Sequence, residues 1–224
     1  MRKVVIRIIN VTLLCTIYSS ICFANQPTTE LQKFVPPHWK IISQANGDLN
    51  ADGQTDTVII IQPKNTKVHN RRLLILINQK NSLQIKLSKQ IPNWTYRDDE
   101  NCIDDALSGG GVSIKNSVLD IAFNAMNSCS NWYGESWTYR FKFDNSQFKL
   151  IGFEYWFVYK TDGKNKTYSG NFLTQKLKIT QGNEFDDNVK PQISWKPLKP
   201  ILPNTLEKMT LKDSQDFLKQ MIQP

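Results

Sequence analysis

Apolar and polar residues alternate with a period of two along much of the chain, which is the pattern of β-strands. Two runs, residues 57–61 and 73–77, are instead apolar almost throughout, as is typical of strands buried on both faces. Residues 83–87, 139–143 and 148–150 alternate, so each of them has one solvent-exposed face. The pattern therefore predicts a mainly β fold of antiparallel sheets and hairpins, arranged as a sandwich or as part of a propeller.

Turn-forming residues separate these runs and indicate which strands are neighbours. Short polar stretches at 79–82, 115–117 and 144–146 join apolar runs into three predicted hairpins, of which the last has the strongest pattern. Residues 160–169 are predicted to be a polar turn before short strands at 171–174 and 177–180. Residues 182–200 are polar and interrupted by prolines, with Trp195 as their only large anchor.

The hydrophobic period changes near the C-terminus. Phe217, Leu218, Met221 and Ile222 are spaced so that they share one face of a helix. The sequence therefore predicts a short amphipathic helix over about 210–222 that packs against the sheet.

The first 24 residues have the organisation of a secretory signal peptide. Basic residues at positions 2–3 precede a short apolar stretch, which ends at Ala24. This stretch is shorter than the roughly 20 residues that a membrane span needs. We expect cleavage after Ala24, a periplasmic or secreted protein, and a single β-rich domain over 25–224. Lipidation at Cys15 or Cys22 is less favoured, because no small residue directly precedes either cysteine.

The predicted cleavage also changes the net charge. The whole chain carries a formal charge of +8, and removal of Arg2, Lys3 and Arg7 leaves +5. No block of five or more Lys and Arg residues occurs, which argues against nucleic-acid binding. Attraction to an anionic envelope surface or to an acidic partner protein remains open. The sequence also leaves the oligomeric state open.

Two cysteines, Cys102 and Cys129, remain after the predicted cleavage. In an oxidising compartment such a pair forms a disulfide, and closing this loop would stabilise the fold by about 3 kcal/mol. The alternative is two separate buried thiols. Neither cysteine has a Cys-x-x-Cys neighbour, so a redox or zinc role is not indicated.

Residues 47–56 have the composition and spacing of a calcium-binding loop. Oxygen-bearing side chains alternate with residues that can point away, and Gly53 lies where a chain wrapping a cation must turn sharply. These side chains are those of Asp48, Asn50, Asp52 and Asp56. The apolar run 57–61 follows directly, so we expect a structural Ca²⁺ at the head of a strand.

The pattern Asp-x-Asn-x-Asp-Gly-x-x-Asp before a strand resembles the calcium loops of FG-GAP and VCBS-type repeats, which occur in integrin-like β-propellers and many bacterial exported proteins. The resemblance implies ligation by the side chains of Asp48, Asn50, Asp52 and Asp56 and by the backbone carbonyl of Gln54. It covers only residues 47–56, and no second copy recurs, so a multi-blade propeller is not expected. An EF-hand is a poorer match, because Ile59 occupies the position of its terminal glutamate.

The order of segments along the chain carries a second resemblance. A His-Trp segment at 38–39 is followed by this loop, the strand 72–75, the aromatic arm 139–143, and the segments 150–152 and 171–174. This order resembles a group of uncharacterised bacterial periplasmic proteins with a single such loop. The resemblance implies no particular activity.

Five carboxylates within eight residues form an acidic stretch at 98–105. They could bind a second cation, attract a basic partner, act as general acid and base, or form a solvated loop. Their spacing lacks the alternation of residues 48–56, so it specifies no geometry. The carboxylates are those of Asp98, Asp99, Glu100, Asp104 and Asp105.

Two functions are compatible with these features. The first is non-enzymatic binding of an envelope macromolecule, as by an immunity or inhibitor protein against an envelope-targeting toxin, which fits the size, the export and the lack of a catalytic constellation. The alternative is a cell-envelope glycan hydrolase that uses two of the 98–105 carboxylates, with Trp132 or Trp137 as a sugar platform. Core packing is the favoured role for the aromatic residues between 132 and 156.

Overall fold

The computed structural model describes residues 29–65, 70–92, 95–99, 102–107, 109–125, 132–211 and 214–222, with the backbone alone for 95–99 and 102–104. Strands dominate this part of the chain, and neighbouring strands are antiparallel. The predicted mainly β fold with a short C-terminal helix is therefore confirmed. The elements are α1 (Thr29–Gln32), β1 (Trp39–Gly47), β2 (Asp56–Pro63), β3 (Arg71–Gln79), β4 (Ser82–Ile91), β5 (Thr95–Asp99), β6 (Cys102–Asp105), β7 (Gly111–Lys115), β8 (Val118–Ala125), β9 (Tyr133–Asp144), β10 (Gln147–Tyr159), β11 (Lys164–Asn171), β12 (Lys176–Asn183), β13 (Gln192–Pro197) and α2 (Ser214–Ile222).

The three predicted hairpins are confirmed, and each has a two-residue turn. Residues 80–81, 116–117 and 145–146 all have positive φ, which is the backbone of a turn that matches the twist of antiparallel strands. Each of the three turns contains an asparagine, a residue that adopts this conformation at low cost. Local turn chemistry therefore sets the register of β3–β4, β7–β8 and β9–β10.

The strands form two main sheets and a small third one. The first sheet has the order β1-β2-β3-β4, so β3 is central and β4 is an edge, as the hydrophobic pattern predicts. The second sheet has seven strands in the order β13-β12-β11-β10-β9-β8-β7, and β5 pairs only with β6. The two main sheets meet where Ser43 Oγ of β1 accepts a hydrogen bond from Val112 N of β7, at 2.9 Å.

Strands β2 and β3 are buried on both faces, which explains their continuous apolar runs. One face of the four-stranded sheet, including Val58 and Ile75, belongs to a core cluster shared with Ile121 and Phe153 of the seven-stranded sheet. The other face forms a smaller cluster with Leu31 and residues of the N-terminal segment. The four-stranded sheet is therefore the middle layer.

The structure differs from the sequence prediction between residues 164 and 174. Residues 164–171 form strand β11, although their polar composition predicts a turn. The segment 171–174, predicted as a strand, instead leads into a turn in which Asn171 Oδ1 accepts the N–H groups of residues 173 and 174. Pairing with β10 and β12 on both edges supplies backbone hydrogen bonds that override weak local preference.

Two further segments have more regular structure than their composition predicts. Residues 98–99 and 102–105 of the acidic stretch belong to β5 and β6, which pair with each other, and residues 192–197 form β13 at one edge of the seven-stranded sheet. Trp195 is 61% exposed, so the prediction that it anchors its segment is wrong. Its position on an edge strand leaves its indole in contact with solvent.

Helix α2 covers the apolar face of the seven-stranded sheet near the C-terminus. Phe217 is fully buried there, with its ring centroid 4.5 Å from that of Phe153 and 4.9 Å from that of Tyr139. Met221 is also buried, whereas Ile222 is 45% exposed. Within the part of the chain that the structure describes, neither helix is long and apolar enough to cross a membrane.

We predict that Phe217→Ala lowers the free energy of unfolding by about 3–5 kcal/mol, because it opens a cavity among packed aromatic rings. Ile222→Ala, on the same helix but half-exposed, is the matched control and should cost less than about 1 kcal/mol. Urea denaturation of both variants measures the difference. Equal costs would show that α2 does not complete the core.

Candidate metal centre

The predicted calcium loop connects β1 to β2 at one end of the four-stranded sheet. Gly47, the last residue of β1, pairs with Asp56, the first residue of β2, so the two strands close the loop at its base. A Cβ on Gly47 would lie 2.6 Å from Ile114 Cγ2 of the neighbouring sheet. A larger residue at position 47 would therefore require the Ile114 side chain to move.

The loop wraps around the carboxylate of Asp48. Its Oδ1 accepts a hydrogen bond from Asp52 N at 3.2 Å, and its Oδ2 accepts one from Gly53 N at 2.8 Å. Gly53 has a φ of 83°, which confirms the sharp turn that the sequence places there. Backbone N–H groups thus orient the first oxygen-bearing side chain of the loop.

The next two oxygen-bearing side chains lie beside it. Asn50 Oδ1 is 3.2 Å from Asp52 N, the same backbone nitrogen that Asp48 contacts. Asp52 Oδ1 accepts a hydrogen bond from Gln54 N at 2.8 Å, and its Oδ2 accepts one from Asn50 Nδ2 at 2.9 Å. The structure therefore brings Asp48, Asn50 and Asp52 together and places the Gln54 peptide next to them.

Asp56 has a different environment from the other three side chains. It is fully buried, and its two oxygens each accept a backbone N–H at 2.8 Å, Oδ2 from Leu49 and Oδ1 from Asn78. The carboxylate therefore ties the start of the loop to the end of β3. The sequence analysis assigned Asp56 as a ligand and did not identify this clamp, which depends on a residue 22 positions away.

The electrostatics of Asp56 favour a nearby cation. Burial raises the pKa of its carboxyl, against the opposing effect of the hydrogen bonds from Asn78 and Leu49, and repulsion from Asp52 and Asp48 raises it further. A cation among these carboxylates would reduce that repulsion and stabilise the charged form.

The donor set fits the chemistry of calcium. Carboxylate and amide oxygens are hard ligands, and each oxygen that accepts one N–H retains a second lone pair. Within the described residues, no group of three or more His, Cys, Asp or Glu side chains is arranged to hold a metal ion. The loop instead combines two neighbouring carboxylates with the amide of Asn50, and ligation by Gln54 and Asp56 remains a prediction.

Most side chains of the acidic stretch, those of residues 98–104, lie outside the described residues. Residue 129 does as well, so the predicted Cys102–Cys129 disulfide stays a prediction. Asp105 is described, and it forms a bidentate ion pair with Arg71 of β3, whose Nε also donates to Gln62 Oε1 at 3.0 Å. The Arg71 side chain is only 7% exposed, so this pair holds the β6 end against the four-stranded sheet.

The aromatic residues divide into two groups. Trp137 and Tyr155 are buried and belong to the core, as the sequence analysis favours. Trp132 is 72% exposed, and Trp156 is half-buried. Trp137 therefore cannot offer its face to a sugar, whereas Trp132 can.

The structure also contains a buried polar group that the sequence analysis did not identify. Glu135 is 4% exposed, accepts a hydrogen bond from Ser214 Oγ at 2.9 Å and contacts the hydroxyl of Tyr155. Burial is the main cause that raises the pKa of the Tyr155 hydroxyl, and the negative charge of Glu135 raises it further. No local signal reveals this network, because Glu135 and Ser214 are 79 residues apart.

Comparison with models of protein families, with curated proteins and with solved structures finds no match to this chain. The resemblance to FG-GAP and VCBS-type calcium loops therefore rests on residues 47–56 alone.

We predict that Asp56→Ala lowers the free energy of unfolding by about 2–5 kcal/mol in chelator, because it leaves two backbone N–H groups without their acceptor. Asp52→Ala removes only exposed hydrogen bonds and should cost less than about 1 kcal/mol under the same conditions. Asp56→Asn keeps one acceptor oxygen and should fall between them. Chemical denaturation in chelator measures all three, and equal costs for Asp52→Ala and Asp56→Ala would contradict the clamp.

Proposed function

We propose that this chain is an exported, calcium-stabilised binding module that acts without catalysis. Its partner would be another macromolecule of the cell envelope, and an immunity or inhibitor protein against an envelope-targeting toxin is the class that fits its size and predicted export. The proposal has two parts: Ca²⁺ stabilises the β1–β2 loop, and a surface of the β scaffold binds the partner.

The calcium part is supported by the geometry of the loop. Three adjacent oxygen-bearing side chains surround one turn, and two of them carry charge. A bound cation would stabilise the connection between β1 and β2, because the free energy of binding to the folded state adds to the free energy of unfolding. This assigns calcium a structural role.

The partner-binding part rests on one observation, the exposed apolar edge of the seven-stranded sheet. Strand β13 has a single neighbour, and all six of its residues are exposed. Large apolar side chains recur along and before this strand, which is unusual for a surface in contact only with water. They are Phe185, Val189, Ile193 and Trp195, which are 67%, 44%, 55% and 61% exposed.

The backbone of this edge can add one short strand. Leu198 N donates to Gln175 O, so alternate residues of β13 face β12 and the others, Ile193 and Trp195, direct their N–H and C=O groups outward. Pro191 and Pro197 fall on the same alternate positions as Ile193 and Trp195, and proline has no N–H to donate. The prolines thus restrict pairing to a short central segment, which favours a specific partner over extended edge-to-edge association.

The glycan-hydrolase alternative loses one of its five candidate carboxylates to a structural role. Asp105 is held by Arg71 through two parallel hydrogen bonds and also accepts a hydrogen bond from Leu107 N at 3.1 Å. A carboxylate whose oxygens are held by a side chain of its own fold is a poor proton-transfer group, because those oxygens are occupied by a structural partner.

We predict that calcium at about 100 times its Kd raises the free energy of unfolding by about 2.7 kcal/mol, which corresponds to roughly 5–10 °C in Tm. Thermal melts with calcium and with chelator measure this shift. Asp52→Ala should abolish it while leaving the Tm in chelator nearly unchanged. Equal midpoints with calcium and with chelator for the unmodified protein would remove calcium from the proposal.

We predict that the immobilised protein retains one envelope protein in stoichiometric amount in the presence of calcium. Ile193→Lys with Trp195→Ser should abolish retention, because the variant loses the apolar side chains of the edge. Ile85→Ser, which removes a 52% exposed side chain of β4, is the matched control and should retain the partner.

A different result would support the enzyme. Turnover of peptidoglycan by the unmodified protein, lost when Asp98, Asp99, Glu100 and Asp104 are replaced by their amides, would overturn the non-catalytic proposal. Thermal melts of the preparations used in these assays show whether any variant is misfolded.

A further inference from the structure

A lysine-lined cavity lies at one end of the seven-stranded sheet, apart from the calcium loop and from the β13 edge described above. It has a volume of about 480 Å³ and is enclosed by the β9–β10 turn, the β11–β12 turn and the segment 199–204. Lys142, Lys149 and Lys199 line it together with apolar side chains such as Phe172 and Ile201. Basic groups and apolar surface therefore share one concave site.

Strand register extends this basic character across the outer face of the sheet. Lys149 lies opposite Lys142, Lys142 lies opposite Val118, and Val118 lies opposite Lys115. The three lysines thus form a row across four neighbouring strands at the end where the hairpin turns lie. Lys149 is paired with Asp144. Within the described residues, Lys115, Lys142 and Lys199 have no ion-pair partner.

Two exposed leucines lie on the segments that form this cavity, and Leu173 lines it directly. Leu173 lies on the β11–β12 turn and is 71% exposed, and Leu202 lies in the 199–204 segment and is 75% exposed. The Leu173 turn is fixed from beneath, because Asn171 Oδ1 accepts its N–H at 3.0 Å and the adjacent Phe172 packs against the core. The Leu173 side chain is therefore held outward by an ordered turn.

We propose that this face docks on a membrane surface rich in anionic phospholipid. The cavity lysines would contact lipid phosphates, and Leu173 and Leu202 would enter the boundary between headgroups and acyl chains. Each Lys or Arg near an anionic membrane favours binding, and a buried leucine adds hydrophobic free energy. Both features are needed, because stable binding of a protein to a membrane surface requires an electrostatic and an apolar contribution together.

The charge balance favours an anionic lipid over a zwitterionic one, and the leucines favour a lipid over a soluble polyanion. A polyanion would contact the lysines but would leave two large side chains in water. The proposed docking is independent of calcium binding and of a partner at the β13 edge. It would orient the protein on a membrane without a transmembrane segment.

Vesicle co-sedimentation of the purified protein tests this proposal. Binding to vesicles of phosphatidylcholine alone measures how much other apolar segments of the chain contribute. Binding to vesicles that also contain phosphatidylglycerol measures the contribution of the anionic lipid. We expect binding only to the second kind. Lys142→Gln with Lys199→Gln should weaken that binding about 30-fold, and Leu173→Ser with Leu202→Ser should weaken it about tenfold or more.

The matched control removes the same charge from the opposite end of the sheet. Lys160→Gln with Lys190→Gln neutralises two exposed lysines there and should reduce binding less than threefold. Equal losses of vesicle binding for the two lysine pairs would show that binding depends on net charge alone, and would overturn the proposed site. Full binding by the leucine variant, or equally tight binding of soluble heparin that displaces the vesicles, would show a polyanion site and would also overturn it. Thermal melts of each variant identify any loss of folding.

Discussion

Packing of the four-stranded sheet against the seven-stranded sheet is the interaction on which the rest of the structure depends. Strands β2 and β3 are apolar on both faces, so they must be covered twice. The seven-stranded sheet and α2 cover one side, and the N-terminal segment covers the other. Because the seven-stranded sheet buries only one face in this core, its other face and its β13 edge remain available for contacts with other molecules.

Polar groups at the margins of this core connect it to the candidate sites. Asp56 accepts two backbone N–H groups at the base of the predicted calcium loop, and Arg71 holds Asp105 of the acidic stretch. Both are charges removed from water, which is favourable only when each finds a partner. The loop and the Asp105 end of β6 are therefore fixed by the four-stranded sheet, and a cation at the loop would add to the free energy of unfolding.

Local chemistry made the hairpins and the loop predictable. Short turns with asparagine fix three strand pairs, and the spacing of the apolar residues in 217–222 predicts the helix. The prediction failed where polar residues occupy a strand, as in β11, because pairing on both edges decided the outcome there. It also failed at Trp195, whose size suggests burial, since exposure depends on whether another strand or helix covers that edge.

The sequence by itself determined the class of fold, the strand turns and the order of oxygen-bearing side chains in residues 48–56, because each depends on neighbours within a few positions. Only the tertiary structure decided that Asp56 clamps the loop to β3, that Glu135 meets Ser214, and that Lys142 and Lys199 share a cavity. These contacts join segments separated by tens of residues, and which of them form depends on how the buried faces of the two sheets fit together.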